Sequence, residues 1–141
     1  MTRIDFYTNV ADKAGLTASL LSDALQKKRQ ATLHVENEAA GSQLSDYFWQ
    51  NINTSFLPNV LENHALAAKT PFVIDWQGTQ LLQDDMLINL QEKQPLFFSR
   101  FKQLVEIVGL DETEIISARE RFKFYRDRGY EIKHMDFAKQ A

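Results

Sequence analysis

Residues 3–36, RIDFYTNVADKAGLTASLLSDALQKKRQATLHVE, decide the fold because the spacing of their apolar residues changes twice. Arg3 to Val10 alternates apolar and polar side chains, which predicts a strand. Leucine and alanine then recur at steps of three and four, which predicts a helix from about residue 14 to 29 that ends in positive charge. Ala31 to Glu36 alternates again. Two strands joined by a helix predict parallel pairing in an α/β fold.

The remaining elements extend this pattern. A second helix is predicted as far as about Gln50, followed by a less regular stretch, residues 51–69, with a loop and a short helix. Further strands are predicted for PFVIDW at 71–76, MLINL at 86–90 and YEIKHMDF at 130–137. Residues 97–108 fit either a helix or a strand, although LVEIV at 104–108 favours a strand. We therefore expect residues 1–141 to form a single domain, with a mostly parallel, Rossmann-like sheet flanked by helices and no nucleotide site.

The last predicted helix follows Asp111. Glu114, three residues later, gives this start the form of a capping box, and Gly129 supplies a left-handed residue to end the helix. The apolar positions of the helix fall on one stripe: Ile115, Ala118, Phe122 and Tyr125.

Composition excludes several classes of protein. A chain of 141 residues with 44% hydrophobic and 25% charged residues has the make-up of one globular domain, and it contains no cysteine for disulfides or thiolate metal sites. A net charge of −3 disfavours a protein whose function is to bind the phosphate backbone of nucleic acids, so any contact with DNA is expected to be indirect. No apolar run approaches the roughly 20 residues that span a bilayer, and we expect a cytoplasmic protein.

The residues for common enzyme chemistry are missing or badly spaced. The five glycines are too far apart for a phosphate-binding loop. His34 alternates with strand residues and is interpreted as structural, whereas His64 and His134 are interpreted as surface residues. Asp84 and Asp85 are interpreted as a solvated turn rather than a metal site. We expect no catalytic residue, metal or cofactor; an enzyme that binds nucleotides or hydrolyses its substrate on the same sheet stays open as an alternative.

The segment ARERFKFYRDRGY, residues 118–130, carries the densest mixture of cationic and aromatic residues. At 100° per residue, Arg119, Lys123 and Arg126 lie within about 60° of one another on the helix. Ile115 and Phe122 border this cationic stripe. The arrangement fits a pocket for an acidic peptide that ends in an aromatic residue. A solvated helix face and a binding site for single-stranded nucleic acid are the two other interpretations.

A second feature is the aromatic stretch LSDYFWQNINTSFLPN, residues 44–59. Trp49, Phe56, Leu57 and Pro58 either belong to the core or form an apolar docking surface, because large rigid rings give much contact area at little cost in entropy.

Six segments of the chain, in the same order and over almost its whole length, resemble the chi family of bacterial DNA polymerase III subunits. The segments are IDFYTNV, LSDYFWQ, SFLPN, PFVIDW, LINL and ARERFKFYRDRGY. The resemblance implies a non-catalytic accessory subunit of the clamp loader. It also implies two partners: the acidic C-terminal tail of single-stranded-DNA-binding protein, which ends in Phe, and the psi subunit of the clamp loader.

The resemblance also implies roles for individual residues. Arg119 and Phe122 would hold the carboxylate and the ring of the tail, and Lys123 would add charge. Trp49 and Phe56 would lie on the surface that meets psi, or a helicase that competes for the same face. Two positions depart from the family pattern, which often has His in place of Asn59 and Lys in place of Ile115. The second departure predicts tail binding that is weaker and less sensitive to salt.

Overall fold

The computed structural model describes residues 2–50, 59–62, 70–77 and 83–139. Within them, seven strands form one sheet: β1 (Arg3–Thr8), β2 (Ala31–His34), β3 (Asn59–Leu61), β4 (Phe72–Asp75), β5 (Met86–Asn89), β6 (Gln103–Ile107) and β7 (Ile132–Asp136). The three α-helices of these residues are α1 (Lys13–Gln26), α2 (Glu38–Gln50) and α3 (Glu112–Asp127).

The strand order is β3-β4-β2-β5-β6-β1-β7, and all the described pairs are parallel. In this order β1 lies next to the edge, so that Ile4 is in register with Leu104 on one side and Ile132 on the other. The predicted α/β fold with a mostly parallel sheet is confirmed. The predicted strand at 130–137 is confirmed as the edge strand β7.

Helices cover both faces of the sheet. Residues of α1 and α2, such as Leu21 and Phe48, pack with Leu33 and Ile74 on one face. On the other face, Tyr125 of α3 packs in a second cluster with the aromatic segment around Phe98. Because both faces are covered, every residue of β2, β4, β5 and β6 is buried, which explains why these strands have short apolar runs.

Helix α1 ends at Gln26, about three residues before the predicted end. Lys28 adopts a positive φ of 57°, which turns the chain out of the helix. Arg29 then reaches the carboxylate of Asp85, with its Nη2 2.9 Å from Oδ1, and the pKa of Asp85 is lowered by this hydrogen bond. The interpretation of Asp85 as part of a solvated turn is therefore wrong, whereas Asp84 is exposed.

The predicted capping box at the start of α3 is wrong in its hydrogen bonds. The helix does begin after Asp111, but the Asp111 side chain caps no backbone amide and instead accepts a hydrogen bond from the Thr113 hydroxyl. Glu114 accepts hydrogen bonds from the Gly109 amide and from Lys13, which draws the start of α3 towards α1. The end of α3 is as predicted, because Gly129 adopts a φ of 83°.

The stretch predicted to be a loop with a short helix contains strand β3 at one edge of the sheet. Asn59 opens this strand, and its Oδ1 accepts a hydrogen bond from the Ser45 hydroxyl of α2 at 2.8 Å. Residues 51–58 and 63–69 of this stretch lie outside the described residues.

Candidate functional site

A cavity of about 540 Å³ lies between α3 and the strand pair β1 and β7. The five residues that the sequence predicted for an acidic-peptide pocket all line it: Ile115, Arg119, Phe122, Lys123 and Arg126. The helical spacing of these residues therefore brings them to one concave surface.

The inner side of this cavity is apolar. The Phe122 ring lies edge-on to the ring of Phe6 in β1, with 5.3 Å between ring centroids, and Ala118 and Val108 line the cavity beside them. Aromatic pairs in this geometry are favourable beyond the area they bury. The packing holds Phe122 as a fixed ledge between the core and the opening of the cavity.

The wall opposite α3 is polar. The Thr8 hydroxyl oxygen lies 2.8 Å from Nε2 of His134, and Asn9 Nδ2 donates a hydrogen bond of 2.7 Å to Asp136 Oδ1. Asn9 adopts a positive φ of 57°, a conformation in which asparagine is enriched. His134 is exposed, as predicted, but it also lines the cavity, which the sequence did not reveal.

The lining of the cavity carries more positive than negative charge. Its lining contains the three cationic side chains of α3 and one carboxylate, that of Asp136. A guanidinium group can hold a carboxylate with two parallel hydrogen bonds, and an apolar ledge can take an aromatic ring. The cavity therefore suits a ligand that carries negative charge beside a ring.

A buried polar network fixes α3 beneath this surface. The Glu106 carboxylate of β6 accepts hydrogen bonds from Arg121 Nε at 3.1 Å, from the Tyr125 hydroxyl at 2.9 Å and from Asn89 Nδ2 at 2.8 Å. Arg121 also donates to the backbone carbonyl of Glu92. Burial raises the pKa of Glu106, and Arg121 opposes this shift. Burial, followed by the charge of Glu106, raises the pKa of Tyr125.

This network was not predicted from the sequence, although the sequence contains a signal for it. Arg121 lies three residues after Ala118 and four before Tyr125, which places it on the buried stripe of α3. An arginine at such a position needs a buried partner. Glu106 within the apolar run LVEIV is the matching signal on the sheet.

The predicted second surface is described only at Trp49, which is 53% exposed near the end of α2. Phe56, Leu57 and Pro58 lie outside the described residues, so the proposed surface of Trp49 with these three residues stays a prediction.

A second polar cluster lies towards the β3 edge. His34 Nδ1 and Asp75 Oδ2 are both buried and lie 2.8 Å apart, which confirms that His34 has a hydrogen-bonded structural position. Burial, together with a hydrogen bond to Asp75 and the negative charge of Asp75, raises the pKa of Glu62 to about 8. His64 lies outside the described residues.

The crevice at the carboxyl ends of the strands, where related folds often bind ligands, is poorly suited to phosphate. Asp12 Oδ1 accepts a hydrogen bond from the Gly15 amide at 3.0 Å, so a side chain already occupies the start of α1. A Cβ at position 15 would collide with this carboxylate. Three carboxylates, those of Glu36, Glu92 and Glu114, line the same crevice beside two lysines, Lys13 and Lys93. Because Lys13 is paired with Glu114, the crevice has no excess of positive charge to attract an anion.

The described residues hold no group of three or more histidine, aspartate or glutamate side chains placed to bind a metal ion. None of their helices has the length and apolar character needed to cross a bilayer.

Comparison with known proteins identifies similar chains. Residues 1–133 match the family described as DNA polymerase III chi subunit, HolC. The chain is 30% identical over 118 residues to DNA polymerase III subunit chi of Haemophilus influenzae, covering 83% of this chain and 82% of that protein. It is 28% identical over 137 residues to the Pseudomonas aeruginosa subunit of the same name, covering 94% and 95%. The corresponding Escherichia coli subunit is 25% identical over 118 residues, covering 83% and 80%.

Proposed function

This chain belongs to the DNA polymerase III chi subunit family, and from this premise we propose that it links the clamp loader to single-stranded-DNA-binding protein. In this role the chain is a non-catalytic, cytoplasmic accessory subunit. It binds the acidic C-terminal tail of single-stranded-DNA-binding protein with one surface and the psi subunit with another.

One observation carries the first part of the proposal. The cavity between α3 and β7 combines three cationic side chains with the apolar ledge of Phe122. An acidic tail that ends in Phe offers a terminal carboxylate for Arg119, a ring for the ledge and further carboxylates for Lys123 and Arg126. Such pairing of cationic and anionic groups gives both affinity and orientation.

The second part concerns Trp49. An exposed tryptophan provides a large rigid contact surface, and such residues often dominate the energy of protein interfaces. We assign this side chain, with Phe56, Leu57 and Pro58, to the surface that meets psi or a helicase competing for the same face.

Calorimetric titration with an acidic peptide that ends in Phe tests the tail pocket. Arg119→Ala is expected to weaken binding about 30-fold or more, because a hydrogen bond between charged groups contributes about 2 kcal/mol. Trp49→Ala is the matched control: it should bind the peptide like the unmodified protein but lose the complex with purified psi in size-exclusion chromatography. Equal peptide affinity for the unmodified protein and Arg119→Ala would contradict the pocket.

The same protein preparation tests the alternatives. A direct single-strand binder would bind free oligonucleotide with an affinity that falls steeply as salt rises. A nucleotide-binding enzyme would show a rise in Tm with added nucleotide. We expect neither, given the net charge of −3 and the carboxylates that line the crevice at the strand ends.

A further inference from the structure

His134 occupies an unusual place in the cavity between α3 and β7. Its imidazole is exposed, it lines the cavity, and its ring lies edge-on to Phe122 with 6.1 Å between centroids. A ligand that places a ring on the Phe122 ledge would therefore bring its neighbouring groups close to this imidazole.

The contact between His134 and Thr8 is compatible with either charge state of the imidazole. The Thr8 hydroxyl, 2.8 Å from Nε2, can donate a hydrogen bond to a bare nitrogen or accept one from an N–H. Gaining a proton therefore need not break the contact, and the ring can keep its position. Histidine is also the side chain that changes charge in the physiological pH range.

The charges around His134 come from two elements. On its own strand, Asp136 lies two residues away, lines the same cavity and carries a negative charge. On α3, Arg119, Lys123 and Arg126 line the facing wall and carry positive charges. Within the described lining, strand β1 contributes the neutral side chains of Phe6 and Thr8, and Asn9, the residue after it, adds a neutral amide.

From this geometry we infer that His134 is a proton-dependent fourth cation of the tail pocket, which strengthens binding of an acidic C-terminal peptide as the pH falls. The inference rests on the proposed function. A bound carboxylate adds negative charge beside the imidazole, so it favours the protonated ring, and by linkage the protonated ring favours the carboxylate. The residue thus helps to select an anionic ligand.

Titration of the acidic Phe-ending peptide at pH 6 and pH 8, at constant ionic strength, tests this role. The peptide is N-terminally acetylated, since a free α-amino group would titrate in this range. Its carboxylates are ionised and the arginines and lysines are charged at both pH values, so they do not contribute to the difference. The unmodified protein is expected to bind about fivefold more tightly at pH 6, the effect of roughly one additional charge near the surface.

Two variants at position 134 and one control isolate the cause. His134→Gln keeps a group that can bond to Thr8 but cannot gain a charge, so its affinity should be equal at both pH values. His134→Lys should bind at pH 8 as tightly as the unmodified protein does at pH 6. Lys133→Gln, on the same strand but lining a different cavity with Arg3 and Asp5, should keep the pH dependence.

The outcomes separate this inference from the proposed function. Peptide binding that is equal at both pH values, or whose pH dependence survives in His134→Gln, overturns the role of His134 and leaves the tail pocket standing. Absence of peptide binding at both pH values, with the protein folded, overturns the tail pocket and this inference together. Loss of pH dependence in His134→Gln alone supports both.

Discussion

The two edges of the sheet differ in the chemistry they offer. At the β7 edge, cationic side chains and an aromatic ledge surround an open cavity. Towards the β3 edge, the polar groups of His34 and Asp75 are buried against each other, and Trp49 is half-exposed on α2. The edges are six strand spacings apart, roughly 29 Å. The cavity and the exposed Trp49 therefore lie towards opposite edges of the sheet.

The largest expected effect comes from removing the buried ion pair that holds α3, and with it the cavity, against the sheet. Arg121→Ala leaves the Glu106 carboxylate without its cationic partner, and we expect it to lower the free energy of unfolding by about 3–5 kcal/mol. Urea denaturation followed by linear extrapolation measures this loss. The double variant Arg121→Met with Glu106→Leu should lose less than the single one, since it leaves no unpaired charge. A loss below about 1 kcal/mol in Arg121→Ala would contradict a structural role for the pair.

The β3 edge should respond to pH through Glu62. The pKa of Glu62 in the folded protein, about 8, is above the ordinary value for glutamate, so the folded protein holds the proton more tightly than the unfolded chain does. The stability that this proton contributes is complete below about pH 4 and is lost as the pH rises through 8. The free energy of unfolding should therefore decrease between pH 5 and pH 9. The decrease should be less than about 1 kcal/mol, because solvent screens a partly exposed group. Glu62→Gln should remove it.

Urea denaturation at several pH values measures this effect. Glu120→Gln, at an exposed position of α3, is the control and should keep the slope of the unmodified protein. An unchanged slope in Glu62→Gln would show that another group binds the proton.

The smallest expected effect is a change in peptide affinity when the cavity at the β7 edge loses its negative charge. Asp136→Asn removes the single carboxylate of the cavity lining and keeps an oxygen to accept hydrogen bonds from Asn9 and the Ala138 amide. Binding of the acidic peptide should become about two- to threefold tighter, as expected for one weak, solvent-screened charge interaction. Asp23→Asn on α1 makes the same change in net charge away from the cavity and should leave the affinity unchanged. Tighter binding in both variants would point to net charge instead of the cavity.

The fold could be predicted because its elements have strong local periodicity. The runs FVID and MLIN are short and apolar, and the apolar stripe of α3 is regular. Strand β3 was not predicted, since three residues are too few to show an alternation. The capping box failed for another reason: Glu114 bonds with Lys13, about a hundred residues away, and with the Gly109 amide, in place of the amide of Asp111.

The candidate site was predictable on one side only. Arg119, Lys123 and Arg126 belong to one helix, so helical geometry alone predicts that they lie together. The opposite wall depends on strand order, because Thr8 and His134 are 126 residues apart in the chain and meet only through the pairing of β1 with β7. No local pattern encodes such a contact.

The position of β1 also sets the order in which the molecule can be assembled. Among the described strands, β1 pairs with β6 and β7. Arg3 therefore has no pairing partner until Gln103, a hundred residues later, has been synthesised. At a synthesis rate of about 5–20 residues per second, the wait is roughly 5–20 s. During this time the apolar side chains of Ile4 and Phe6 have no strand to pair with. The cavity can therefore form only after α3 and β7 have been synthesised, and a chain that ended before β7 would lack it.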